Sequence, residues 1–220
     1  MTLPSLSLLE TRILGVLIEK QRTVPDTYPL TLNSLLAGCN QKTSRDPVIN
    51  ASESDLQIAL DQLRTLSLIV ESSGGRVMRY AHNFGRVLQI PSESVALLAA
   101  LMLRGPQTTA ELRLNCERLQ RFADTSSVEG FLNELAEWST GALIVELPRQ
   151  PGSRENRWAH LLSGTPEFTA TNSASALTAN EDNVTVGELA ALKANVMRLE
   201  NEVATLKETV AKLCSELGIV

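Results

Sequence analysis

Apolar residues recur at helical spacing in three successive segments of the first 65 residues, and the same arrangement returns between residues 92 and 138. Residues three and four apart share one face of a helix, so each segment predicts an amphipathic helix with one side in a core. In the first half these positions are Leu9, Ile13, Val16 and Leu17, then Leu32, Leu35 and Leu36, then Leu56, Leu60 and Leu63. In the second half they are Val95, Leu98, Ala99 and Met102, then Ala110, Leu112, Leu114 and Cys116, then Val128, Phe131, Leu132, Leu135 and Trp138.

Helix starts are marked by a Ser or Thr followed three residues later by an acidic residue. In this capping box the two side chains satisfy backbone N–H groups at the start of a helix. The predicted boxes are Ser7 with Glu10, Ser52 with Asp55, Thr108 with Glu111, and Ser126 with Glu129. Ser92, directly after Pro91, is a further predicted cap.

A four-residue sequence, LIVE, occurs at residues 68–71 and again at 143–146. Each copy is followed by turn residues and then by the pattern Gly-x-Arg-x-x-Arg-aromatic-Ala-His, at residues 74–82 and 152–160. β-branched residues, a turn and a returning segment predict a β-hairpin. Coincidence between two ordinary hairpins is the alternative, but two matches in the same order at nearly the same spacing favour a true repeat.

Each half is therefore predicted to contain three helices followed by a β-hairpin, which is the order of a winged helix. The predicted class is α+β, mainly α, with two tandem winged-helix domains, residues 1–89 and 90–164. Residues 165–184 are rich in Thr, Ala, Ser and Asn, which predicts a flexible linker.

Residues 185–218 carry apolar residues at alternating spacings of three and four. Valine at most a positions with leucine at d favours a parallel two-stranded coiled coil, and Glu188 and Glu202 would face Lys193 and Lys207 of the partner. We predict a homodimer through this helix; the alternative is a helix that folds back on the body. The predicted seam is Leu189, Leu192, Val196, Leu199, Val203, Leu206, Val210, Leu213 and Leu217.

The net charge is −5, and no segment has the basic excess of a dedicated nucleic-acid-binding domain. Cys39, Cys116 and Cys214 lie far apart, which predicts reduced thiols, two of them buried, in a cytosolic protein. Two histidines make a zinc site hard to build. No targeting signal, membrane-spanning run or catalytic motif stands out, so we predict a cytoplasmic protein with no enzymatic activity, metal or cofactor.

Winged helices usually bind DNA through the third helix, but both third helices here are acidic and would repel phosphates. Their carboxylates are Glu53, Asp55 and Asp61, and Glu129, Glu134 and Glu137. A long polar loop before the third helix of the first half, together with the two hairpins, offers the remaining contacts with nucleic acid or a protein. The predicted contact residues are Lys42, Arg45, Asp46, Asn50, Arg76, Arg79, Arg154 and Arg157. Alternatively, Asn40, Arg45 and Asp46 only satisfy local backbone groups and hold the loop in place.

Three stretches carry a family resemblance: ETRILGVLIEKQ in the first helix, YPLTLNSLLAGCNQKTSRDPVIN at residues 28–50 and LPRQPGSRENRWAHLL at residues 147–162. With them, about residues 7–163 resemble the YceH-like family of uncharacterised bacterial proteins. The resemblance implies a cytosolic tandem winged-helix protein and no established biochemical activity.

These observations predict a non-enzymatic regulatory or scaffolding module that engages nucleic acid weakly or through a partner. The competing hypothesis is a pure protein-interaction adaptor, similar to the tandem winged-helix subunits of chromosome-organising complexes. If the acidic third helices are covered by the other domain or by a protein, the adaptor hypothesis gains support. If the hairpin arginines form one continuous basic face across the dimer, DNA binding gains support.

Overall fold

The computed structural model describes residues 4–73, 77–149 and 155–165, and it has a mixed α and β architecture with small antiparallel sheets. The six predicted helices and both predicted hairpins are present. The first half contains α1 (Leu8–Thr23), a 3-10 turn (Pro25–Thr27), β1 (Leu30–Thr31), α2 (Leu32–Cys39), α3 (Glu53–Thr65), β2 (Ile69–Ser73), β3 (Met78–His82) and α4 (Phe84–Leu88). The second half contains α5 (Ser92–Arg104), α6 (Thr109–Cys116), α7 (Thr125–Ala136), β4 (Ile144–Leu147) and β5 (Arg157–His160).

Three of the predicted capping boxes are confirmed, at the starts of α1, α3 and α6. The predicted cap at Ser126 is wrong, because α7 begins earlier and its N-cap is Asp124. The Asp124 carboxylate accepts hydrogen bonds from both the amide and the hydroxyl of Ser127, each at 2.7 Å. The predicted cap at Ser92 is also wrong: Pro91 is the N-cap of α5, and the Ser92 hydroxyl donates to Glu93 instead.

The two halves repeat in register as well as in sequence. In the first half, β3 lies between β1 and β2, with Tyr80 opposite both Leu30 and Glu71. In the second half, Trp158 lies opposite Glu146 and exchanges backbone hydrogen bonds with Gln107 at 2.7 and 3.1 Å. Leu30 and Gln107 each stand directly before the Thr that caps the following helix. The repeat therefore extends to a short pairing that sequence analysis did not find.

Helices α1 and α5 pack against each other and join the two halves into one core. Helix α5 is buried over most of its length, residues 94–103, and α1 over its middle half, residues 11–18, which is the pattern of helical segments surrounded by protein on all sides. Their approach is close at Gly15, where an added Cβ would lie 2.9 Å from the Leu103 side chain. The predicted domain boundary at residues 89 and 90 lies inside this continuous core, between the buried Leu88 and Ile90.

Two elements, β1 and α4, were not predicted. The predicted coiled-coil helix, and the predicted linker apart from residue 165, lie outside the described residues and stay predictions. Among the residues that the structure describes, no helix is both long and apolar enough to span a bilayer.

Candidate interaction surfaces

The polar loop between α2 and α3 is closed at its base by Asn40. The side-chain NH₂ of Asn40 donates to the Ala51 backbone carbonyl at 2.9 Å, and its side-chain oxygen accepts from the Ala51 backbone N–H at 2.8 Å. This pair of bonds brings the two ends of the loop together, just before the capping box at Ser52 begins α3. The loop therefore has a fixed base on two helices.

Arg45 holds the middle of the loop from beneath. Its side chain is fully buried, and the two ends of its guanidinium contact both oxygens of Glu19 on α1, at 2.6 and 3.2 Å. Arg45 also donates to the Gly38 carbonyl at 3.2 Å. Burial alone would raise the pKa of Glu19, but the hydrogen bonds and charge of Arg45 outweigh it and lower that pKa.

Arg12 is a second buried arginine under the same loop, and sequence analysis missed it. Its guanidinium donates to the Pro47 carbonyl at 2.7 Å and more weakly to the Cys39 carbonyl at 3.4 Å. Burial, with the nearby charge of Arg45, lowers the pKa of Arg12. Its burial could have been inferred from its position three residues after Leu9 and four before Val16, which places it on the apolar face of α1.

The loop is also fastened to α5 in the second half. The Asp46 amide donates to the Leu103 carbonyl at 2.8 Å, and the Arg104 guanidinium donates to the Ser44 hydroxyl at 2.8 Å. Contacts with α1, α2 and α5 thus give a rigid loop. It exposes Lys42, Asp46 and Asn50, three of the predicted contact residues, whereas Arg45 serves as an internal anchor.

The hairpin arginines that the structure describes are only partly free to contact nucleic acid or a protein partner. Arg79 on β3 is half-buried and donates to the Pro29 carbonyl at 2.8 Å. Arg157 on β5 contacts the Glu111 carboxylate at 3.7 Å. Arg76 and Arg154 lie outside the described residues.

The predicted contact residues do not all converge. Arg45, Asp46 and Arg157 line one cleft of about 360 Å³, together with Arg104 and Glu111. Arg79 lies in the other sheet, and neither Lys42 nor Asn50 lines this cleft. Positive and negative side chains alternate in the cleft, so it has no uniform charge with which to bind a phosphate.

Both acidic third helices are open to solvent. On α3, Glu53 and Asp55 are exposed, and Asp61 pairs with Arg64 of the same helix at 3.1 Å. On α7 the exposed side chains include Glu129 and Glu134, and Glu137, the C-cap of this helix, is exposed too. Within residues 4–73, 77–149 and 155–165, neither acidic face is covered by the other half of the protein.

The prediction that two cysteines are buried free thiols is confirmed for Cys39 and Cys116, while Cys214 lies outside the described residues. Burial raises the pKa of each of these two thiols to about 12, despite nearby arginines. A thiol must ionise to act as a nucleophile, so both stay unreactive at neutral pH.

The fold and these surfaces define a mixed α and β protein, built from a duplicated helix–hairpin unit that carries an anchored polar loop. The profile of a family described as a protein of unknown function, DUF480, matches residues 6–153. A UPF0502 protein of Dechloromonas aromatica is 59% identical over 204 residues, covering 93% of each chain. Relatives in Methylibium petroleiphilum and Leptothrix cholodnii are 59% and 55% identical, covering 97% and 96% of this chain and 91% and 94% of theirs. The chain belongs to this bacterial family, which confirms the resemblance found from its sequence.

Proposed function

We propose that the protein is a non-catalytic tandem winged-helix scaffolding module that binds a protein partner through its third helices and reaches nucleic acid only through that partner. The duplicated order of helix, short pairing, two helices and hairpin supports the winged-helix assignment. The predicted C-terminal coiled coil would present two copies of the module side by side.

The observation that carries the proposal is the exposed acidic surface of α3 and α7. A third helix that enters a DNA groove needs Lys, Arg or neutral polar side chains near the phosphates, because affinity comes from the displacement of counterions by Lys and Arg. The carboxylates of Glu129 and Glu134 on α7, and of Glu137 at its C-cap, instead present negative charge to any approaching phosphate. Such a face complements a basic surface on a protein.

Support also comes from the described hairpin arginines. Arg79 is held by the Pro29 carbonyl and Arg157 lies beside Glu111, so both are partly neutralised or restrained within the chain. A direct DNA reader would keep such groups free for phosphates. Direct nucleic-acid binding through the hairpins is the competing function, and it predicts salt-dependent binding of duplex DNA that requires the hairpin arginines.

The first test is fluorescence anisotropy of a labelled duplex of mixed sequence, titrated with full-length protein at about 50 mM and about 150 mM salt. We expect no binding at the higher salt and no difference in a variant with Arg76, Arg79, Arg154 and Arg157 changed to Ala. Binding that weakens steeply with salt and disappears in the variant would overturn the proposal and establish direct phosphate contacts.

The second test places a photocrosslinking amino acid at Gln62 on α3 or at Asn133 on α7, both exposed. Asp26, exposed in the 3-10 turn, is the control position. In cells we expect both third-helix positions, and not the control, to crosslink the same protein, and Glu129→Lys with Glu134→Lys to abolish the product. Crosslinks that are equal at all three positions would count against the proposed surface.

A further inference from the structure

A second cavity, of about 470 Å³, lies between the last turns of α1, the strands β2 and β3, α4 and the start of α5. Its apolar lining includes Ile18, Ile90, Val95 and Ala96, each no more than 7% exposed. This volume falls within the range of small-molecule sites, which are mostly apolar with a few polar groups that orient the ligand. The cavity is separate from the cleft beneath the polar loop.

Two exposed arginines, Arg22 at the end of α1 and Arg86 on α4, stand at this cavity. Among the described residues, neither forms an ion pair with a carboxylate, whereas Arg45, Arg64 and Arg157 each do. No Asp or Glu is among the described residues of the lining, although Glu93 lies nearby and accepts a hydrogen bond from Ser92. The cavity therefore combines an apolar wall with uncompensated positive charge.

Most of the other polar groups at the cavity already have partners within the fold, whereas the buried His82 Nδ1 has no hydrogen-bond partner among the described residues. The His82 ring forms a hydrogen bond through Nε2 with the Gln21 side-chain oxygen at 2.7 Å. The side-chain NH₂ of Asn83 donates to the Ser67 backbone carbonyl at 3.0 Å. Burial, with the charge of Arg22, lowers the pKa of His82 to about 4, so the ring is neutral at physiological pH. The two guanidinium groups are thus the charged lining groups that can meet a ligand.

We propose that this cavity binds a small organic anion, whose carboxylate or phosphate is held by Arg22 and Arg86 and whose apolar body lies against Ile18, Ile90 and Val95. A planar guanidinium forms two parallel hydrogen bonds with either anionic group, and the apolar wall favours a ligand with a ring or a branched chain. This inference does not depend on the proposed partner-binding function, because the cavity lies away from the exposed faces of α3 and α7.

The test uses the full-length protein and three naphthalene probes of similar size. Binding of 2-naphthoate, 2-naphthyl phosphate and the neutral 2-naphthamide is measured by isothermal titration, and the site is mapped from amide chemical shifts. We expect saturable binding of at least one anion, shifts centred on Asn83, Gly85 and Ala96, and at least about tenfold weaker binding of the amide. The two anions together show whether a carboxylate or a phosphate fits better.

Two sets of variants assign the effect to the cavity. We expect Arg22→Gln with Arg86→Gln to weaken anion binding at least about tenfold and to leave amide binding unchanged. Val70→Glu, at an exposed position of the lining, places a negative charge beside the site and should have the same effect. The matched control, Arg118→Gln with Arg121→Gln, removes two exposed arginines elsewhere and should change nothing. Equal binding of anion and amide, equal binding by the Arg22/Arg86 variant and wild type, or no binding of either anion at millimolar concentration would overturn the inference.

Discussion

The ion pair between Glu19 and Arg45 fixes the polar loop to α1, and Glu19→Gln measures how much stability it provides. The substitution preserves the shape of the side chain and removes its charge. It leaves the Arg45 side chain, which is 0% exposed, with neutral acceptors in place of a carboxylate: the backbone carbonyls of Gly38 and Ser44 and the single amide oxygen of the new Gln. A buried cation without its counterion is among the costliest defects in a folded protein.

The expected loss follows from the burial of the two side chains. Removing one partner of a fully buried pair costs about 3–5 kcal/mol. Because the Glu19 side chain is 17% exposed and two carbonyls remain, we expect a decrease of about 2–3 kcal/mol in the free energy of unfolding. For a protein of this size that corresponds to a fall in Tm of about 4–12 °C. Asp61→Asn, which breaks a pair with Arg64 whose side chains are 49% and 56% exposed, is the matched control and should cost less than about 1 kcal/mol.

Urea denaturation followed by circular dichroism at pH 7.5 gives both values, and hydrogen exchange at the Asp46 amide reports the loop itself. We expect faster exchange at Asp46 in Glu19→Gln and no change in Asp61→Asn. The folded state lowers the pKa of Glu19 below its usual 4.5, so its contribution is complete above that pH and is lost as the pH falls through the lower folded value. The difference between wild type and Glu19→Gln should therefore shrink below about pH 4.5. Equal, small losses in the two variants at pH 7.5 would refute the anchoring role.

Two further predictions concern the histidines and the C-terminal helix. Burial lowers the pKa of both His82 and His160 to about 4 from 6.5, so the unfolded state binds protons first as the pH falls. In urea titrations, we expect the free energy of unfolding to decrease by about 2 kcal/mol per histidine between pH 7.5 and pH 5.0. In His160→Phe this pH-dependent decrease should be about half that of the wild type. A free energy of unfolding that does not change with pH would show that the rings are not buried as neutral groups. From the heptads, we expect the full-length protein to sediment as a dimer and Leu199→Asp with Leu206→Asp to sediment as a monomer; a monomeric wild type at micromolar concentration would contradict the predicted coil.

The sequence predicts the elements whose signals are local. Capping boxes, helical spacing and the repeated hairpin pattern each depend on residues a few positions apart, and the structure contains all six helices and both hairpins. Element β1 has two residues and exists because Leu30 pairs with Tyr80, 50 positions away, so no local pattern marks it. At the start of α7, both Asp124 and Ser126 are residue types that cap helices well, and the two hydrogen bonds that Ser127 donates to the Asp124 carboxylate decide between them.

The sequence predicts the polar loop as a surface feature but not the way it is held. Arg45 looks like an exposed base in a polar segment, and its burial depends on Glu19, 26 positions earlier. Arg12 likewise reaches the Pro47 carbonyl over 35 positions. These contacts form only once α1 has packed against α2 and α5. Spacing along the chain carries no information about that packing. The structure is therefore needed to tell which arginine and lysine side chains remain exposed to a partner.

The repeat also explains why the proposed ligand site belongs to one half. Both hairpins end in a half-buried histidine, His82 and His160, but the chain continues differently after each. After His82 it forms α4, which brings Arg86 to the cavity. After His160 it reaches Leu162, whose carbonyl accepts a hydrogen bond from the Leu6 backbone amide at 2.7 Å, and the described lining of the neighbouring cavity of about 280 Å³ contains no charged residue. Of the two arginines proposed to bind the anion, Arg86 comes from α4, a segment outside the repeated unit, and Arg22 comes from the last turn of the repeated first helix.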